Sequence, residues 1–192
     1  LIGGRPYEMA EVEALSDAIL CAFYPGPTGG EALAKLLFGE LSPAGRLPVS
    51  LPDHAGQLPV YYNYKDSYQG MRYCDMGRPR YMFGSGLTYS RFSWTLIAPP
   101  QDTPDGQGAS VTFSVRNTGD RSACAVPQLY LHRTQGAVTS RRRALCAFDK
   151  MDLYPGEERT VTLAIPRESL CQWDAGMRQV LPPGKIEWFL CD

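Results

Sequence analysis

From Phe92 onward the apolar residues of this chain recur at every second position, and that period decides what the second half can become. Val111, Phe113 and Val115 alternate with Thr112, Ser114 and Arg116 before Asn117-Thr-Gly119 closes the run. Leu129 and Leu131 mark another strand, and Leu145 to Leu153 a third. Val161, Leu163 and Ile165 alternate after the Pro155-Gly156 turn, and Ile186, Trp188 and Leu190 follow Pro182-Pro-Gly184. Side chains on a strand point alternately to its two faces, so each run gains one apolar face. Short strands roughly a dozen residues apart, with Pro and Gly between them, predict an immunoglobulin-like antiparallel β-sandwich over residues 93–192. No helix-length pattern interrupts it.

The first half reads differently. Leu1-Ile2 looks like the end of a buried strand, broken by Gly3-Gly4-Arg5-Pro6, and Tyr7 to Ser16 has room for a helical turn or a loop. Asp17 to Tyr24 is a nearly continuous apolar run, the pattern of a parallel strand covered on both faces. Pro25-Gly-Pro27 stops it. A helix follows, with Thr28 as N-cap and Glu31 three residues later in a capping box. Leu33, Leu36 and Leu37 share one helical face, and Gly39 ends the helix. Strand, turn and helix in that order predict the remnant of a parallel α/β layer over residues 1–52. Such a remnant leaves apolar faces and a sheet edge uncovered. The expected fold class is therefore mixed, a partial α/β layer followed by an antiparallel sandwich.

Residues 53–92 read as an ordered, aromatic-rich connection. Tyr61, Tyr62, Tyr64, Tyr68, Tyr73, Tyr81 and Tyr89 crowd it among glycines and prolines, a composition foreign to flexible linkers. Short pairings are expected inside a loop of that length.

Composition narrows the partners. A net charge of −1 gives no reason to expect nucleic acid or an anionic membrane, and no apolar run approaches the ~20 residues of a bilayer span. The six cysteines show no CxxC spacing, and His54 and His132 stand far apart, so neither a metal nor a cofactor is expected. Cys21 and Cys146 sit in apolar surroundings, which favours free structural thiols and leans toward a cytoplasmic setting. The start at Leu1-Ile2-Gly3-Gly4 has neither Met nor the layout of a signal peptide, and is read as a cut inside a longer protein.

Several motifs, taken in order, resemble one family. Ala22-Phe-Tyr-Pro-Gly26 followed by Gly29-Gly-Glu31 looks like the strand, turn and helix start of family 3 glycoside hydrolases. Leu36-Leu-Phe-Gly39 and Ser42-Pro-Ala-Gly-Arg-Leu-Pro48 resemble its "LFG…NPSGRLP" run, with Ser42 in place of Asn. Arg72-Tyr-Cys-Asp75 is similar to "YRYFD", with Met71 and Cys74 departing from it, and Phe83-Gly-Ser-Gly-Leu-Thr-Tyr89 to "FGYGLSYT". Asn117-Thr-Gly-Asp120, Gln128-Leu-Tyr130, Phe148 and Leu153-Tyr-Pro-Gly156 resemble the fibronectin type III-like domain of many members. The resemblance implies the C-terminal part of a retaining exo-β-glycosidase, such as a β-glucosidase or β-xylosidase. Such enzymes hold a nucleophilic carboxylate and an acid/base carboxylate ~5 Å apart. In the family both lie upstream of the motifs seen here, so the resemblance assigns no catalytic residue to this chain. It implies as partners the upstream catalytic domains and a β-linked oligosaccharide or glycoside, and leaves room for a homodimer.

Within the chain, Arg72, Tyr73 and Asp75 are the candidate substrate-binding residues. A guanidinium and a carboxylate can bind sugar hydroxyls while the ring stacks; the plainer reading is an Arg–Asp pair and a phenol fastening the connection. Glu31 is explained by capping and the helix dipole rather than by catalysis. Arg46 is expected to anchor its turn, and Arg141-Arg142-Arg143 to be solvated. Trp188 is expected in the core, Trp94 and Trp173 are open to a stacking role, and His132 is expected to be structural. A freestanding carbohydrate- or protein-binding module is the alternative, since sandwiches host many functions.

Overall fold

In the computed structural model, residues 2–5, 7–65, 78–104, 106–136 and 138–191 are described. The chain divides into two compact units. One is built from residues up to Tyr62 together with the stretch that ends at Leu87; the other takes in Asn63, Tyr64 and Lys65 and everything from Thr88 onward.

The first unit is short of regular structure. Among the described residues it holds helices α1 (Ala10–Ala14) and α2 (Gly29–Leu37) and a 3-10 turn at Ala55–Gln57. Ile2 and Phe23 form one parallel bridge, but residues 17–24 do not form the expected strand. A strand is made by its neighbours' hydrogen bonds, and among the described residues Ile2 is the only parallel neighbour on offer. The capping box also fails. Thr28 has φ −92° and ψ 6°, outside the extended region from which an N-cap side chain reaches back, and makes no cap hydrogen bond. Glu31 turns instead to Lys35 at i+4, with Nζ to Oε1 at 2.6 Å. The helix stop is as expected: Gly39 adopts φ +75°, and the amides of Glu40 and Leu41 both donate to the Lys35 carbonyl. Leu33 and Leu36 are half-buried, whereas Leu37 and Phe38 are 73% and 85% exposed.

The second unit is the predicted sandwich. Its strands are β1 (Phe92–Asp102), β2 (Gly108–Asn117), β3 (Ala123–Ala125), β4 (Gln128–Arg133) and β5 (Ala144–Phe148). They continue with β6 (Met151–Leu153), β7 (Glu158–Pro166), β8 (Gln172–Trp173), β9 (Gln179–Val180) and β10 (Ile186–Cys191). One sheet has the order β1-β2-β7 and the other β10-β4-β5, with two-stranded ladders β3-β6 and β8-β9; every pairing between these strands is antiparallel. Val111, Phe113 and Val115 of β2 meet Leu129 and Leu131 of β4, Leu153 of β6 and Leu163 and Ile165 of β7 in one core. Pro99 and Pro100 fall in β1, an edge strand whose register slips between Ala98 and Gln101, where a missing N–H is tolerated.

Two details depart from the sequence reading. The run Leu145 to Leu153 is two strands, because at Asp149-Lys150 the chain leaves β4 and pairs with β3 instead. A one-turn helix, α3 (Arg167–Leu170), follows β7 and sends Leu170 into the core.

Candidate functional site

Arg72, Tyr73 and Asp75 lie outside the described residues. Their C-terminal flank is built by an antiparallel contact inside the first unit. Leu51 and Tyr81 exchange both backbone hydrogen bonds, at 2.8 and 3.3 Å, and the Phe83 amide donates to Ser50 Oγ at 3.1 Å. Buried Gln57 accepts from the Asp53 amide at 2.6 Å and donates to the Arg78 carbonyl at 3.3 Å. Arg80 is gripped by two carboxylates, Glu13 at 2.8 Å and Asp53 at 3.0 Å. Desolvation, then a hydrogen bond to Glu13, pushes the Tyr81 phenol above its ordinary pKa. Tyr62 stacks on Phe83 at 4.1 Å between centroids. Gln57 and Ser50 fasten backbone and Arg80 joins two carboxylates, which is how short irregular chain is held without a ladder.

Most of the other residues singled out by sequence have structural contacts. Glu31 is paired to Lys35, and Arg46 Nη1 donates to the Gly45 carbonyl at 3.3 Å. The arginine triplet does more than meet solvent. Arg141 donates to the Asn63 carbonyl at 3.0 Å, the Arg142 amide to Tyr64 at 2.7 Å, and the Arg143 guanidinium lies 4.3 Å over the Phe189 ring. His132 Nδ1 sits 2.9 Å from the Arg141 carbonyl. Trp94 packs on Phe113 at 5.6 Å and Trp188 packs against the core, while Trp173 is exposed. Cys21, Cys124, Cys146, Cys171 and Cys191 are free thiols; Cys74 lies outside the described residues. Arg133, buried at the end of β4, donates to the carbonyls of Leu170 and Pro182 and so ties two turns to the strand.

One concave surface was not legible in the sequence. A groove of about 620 Å³ lies on the sandwich between Asp149, Lys150 and Asp152 on one side and Arg159, Thr160 and Thr162 on the other. Its residues come from β6, the two residues before it, and β7, and share no motif. Among the described residues, no three His, Cys, Asp or Glu side chains are grouped to hold a metal ion.

Two family models match in succession. The glycosyl hydrolase family 3 C-terminal domain covers residues 1–89, and the fibronectin type III-like domain residues 125–191. The chain belongs to glycosyl hydrolase family 3. This family 3 chain is 35% identical to the periplasmic beta-glucosidase of Salmonella typhimurium, over 99% of its own length and 26% of that protein. It is 35% identical to the xylan 1,4-beta-xylosidase of Xylanibacter ruminicola, over 89% of the chain and 20% of the relative. The beta-glucosidase of Listeria innocua crystallised with glucose superposes with a TM-score of 0.90 at 32% identity, over 98% of this chain and 28% of that one. The chain thus spans about a quarter of the length of the glycosidases it matches. A mixed fold, a partial α/β domain followed by a fibronectin-like sandwich, is what those relatives share with it.

Proposed function

We propose that this chain is the structural, non-catalytic C-terminal portion of a retaining exo-β-glycosidase that removes terminal non-reducing β-linked sugars. The observation that carries the reading is the coverage: nearly the whole chain matches one quarter of a β-glucosidase, in the order of the two family domains. The physics agrees. Leu15, Leu37, Phe38 and Leu87 of the first unit are exposed, and apolar surface of that kind calls for a covering partner. The upstream catalytic domains of the same enzyme are that partner in this proposal, with residues 1–52 completing their sheet layer, 53–92 connecting and 93–192 bracing. A contact between two copies belongs to the same proposal. Arg72, Tyr73 and Asp75 are proposed to touch the sugar, because a guanidinium, a phenol and a carboxylate in adjacent positions suit hydroxyl recognition.

The test is turnover of nitrophenyl β-glucoside and β-xyloside by the pure chain and by the complete enzyme. Only the complete enzyme is expected to turn over, and in it Arg72→Ala and Asp75→Asn are expected to raise KM about tenfold. Turnover by the chain alone would sink the non-catalytic reading. An unchanged KM would remove Arg72 and Asp75 from the sugar site.

A further inference from the structure

We propose that the groove between residues 149–152 and 159–162 of the sandwich binds a neutral, hydroxyl-rich oligosaccharide. The identity of that sugar as a β-linked glycan rests on the glycosidase reading above. The groove, about 620 Å³ in volume, is open to solvent, and where ligand clefts are mostly lined by apolar side chains its lining is mainly polar. Its four charges cancel: Asp149 and Asp152 against Lys150 and Arg159. A balanced lining selects neither a polyanion nor a polycation. It offers both donors and acceptors, which a chain of sugar hydroxyls can satisfy on both counts.

Several of these groups are already fixed in place. The Lys150 amide donates to Asp149 Oδ1 at 2.8 Å, and the Thr162 and Thr112 hydroxyls pair across β7 and β2 at 2.9 Å. Arg159 Nη2 holds Glu157 at 2.6 Å and the Asp152 carbonyl at 3.3 Å, which sets the spacing between β7 and β6. Against that rigid frame, the Lys150 ammonium and the Thr160 hydroxyl make no hydrogen bond among the described residues. Among the described residues β7 also pairs with β2 alone, so its outer backbone groups add donors and acceptors along the edge. Phe148 and Tyr154, one residue before and two residues after the lining segment 149–152 in sequence, are 64% and 73% exposed. Exposed rings of this kind present area to the apolar face of a sugar.

The experiment is a titration of the 15N-labelled full chain with cellopentaose and xylopentaose. Saturable amide shifts confined to residues 149–152 and 159–162 are expected. The double variant Lys150→Ala/Thr160→Ala, which removes no side-chain hydrogen bond among the described residues, should bind about tenfold more weakly with its thermal unfolding unchanged. No saturable binding, shifts mapping elsewhere, or equal affinity in the double variant would overturn the groove. A charged polymer that shifts the same amides more strongly than either pentasaccharide would do so too. The complete enzyme carrying both substitutions should still turn over a nitrophenyl glycoside, so a failed titration and a failed glycosidase reading give different results.

Discussion

Phe113 in β2 is fully buried, whereas Phe38 at the end of α2 keeps 85% of its surface exposed, and the two differ in what their elements can pack against. Phe113 lies opposite Val161 in the register of β7 and shares a core with Leu129, Leu131 and Leu153. Two sheets, each apolar on one face, satisfy one another within a hundred residues of chain. Phe38 ends a helix whose apolar stripe is covered only at Leu33 and Leu36, and there only in part. The first unit buries Met9, Leu51 and Pro52 and leaves Leu15, Leu37 and Leu87 open. A sequence can therefore encode an apolar face without encoding its cover. In the first unit the pattern ends in an exposed apolar face; in the second it specifies a core.

The comparison is broken most directly by truncating both rings. Phe113→Ala should cost about 3–5 kcal/mol and unfold much of the sandwich population at moderate denaturant. Phe38→Ala in the isolated chain should stay within about 0.5 kcal/mol. Denaturant midpoints followed by Trp fluorescence measure both, and equal costs would mean that the first unit has a core of its own. A buried amide in each unit sharpens the contrast. Asn117 donates to the carbonyls of Arg121 at 2.8 Å and Leu153 at 3.0 Å and accepts from Ser90 Oγ at 2.6 Å and the Gly119 amide at 3.0 Å. Asn117→Ala strands these buried groups and should cost about 1–3 kcal/mol of sandwich stability. Gln57→Ala should instead speed hydrogen exchange at the Asp53 amide with little change in the global midpoint, because the stretch it ties down opens locally.

The sandwich was legible because period two is a strong signal and its turns carry Pro and Gly. β2, β4, β7 and β10 fall where Val111, Leu129, Val161 and Ile186 place them. The split of β5 from β6 was not, since changing partner at Asp149-Lys150 depends on which strand lies alongside, a fact outside any local window. The same limit explains residues 17–24: an apolar run says that a segment is to be covered, not that a neighbouring strand is there to pair with it. Glu31 shows competition at short range, where a cap and an i+4 lysine bid for one carboxylate and the lysine holds it. The groove was illegible for a third reason. Lys150 and Thr160 are ordinary surface residues until the fold brings β6 and β7 to either side of one hollow.

The cysteines extend the comparison to smaller effects. Cys146 of β5 is buried in the sandwich core, its Sγ donating to the Leu129 carbonyl at 3.1 Å, while Cys21 of the first unit is half-buried. Burial pushes the Cys146 thiol from its ordinary 9.0 up to about 12. Since only the thiolate reacts, alkylation of the folded chain at pH 8 should modify Cys21 and spare Cys146, as peptide mass mapping would report. The same shift fixes the sign of a stability change. The folded state holds the Cys146 proton more tightly than the unfolded state does, so this contribution is complete below about pH 9. It is lost as pH rises toward about 12, because over that window the unfolded chain ionises and the folded one does not. Cys124, raised chiefly by burial and then by Asp152, adds in the same direction. Unfolding midpoints of Cys146→Ala should accordingly fall less steeply between pH 9 and 11 than those of the unsubstituted chain. Parallel curves would mean that the thiol meets water in the folded state, and that the sandwich is less closed than its buried β2 side chains require.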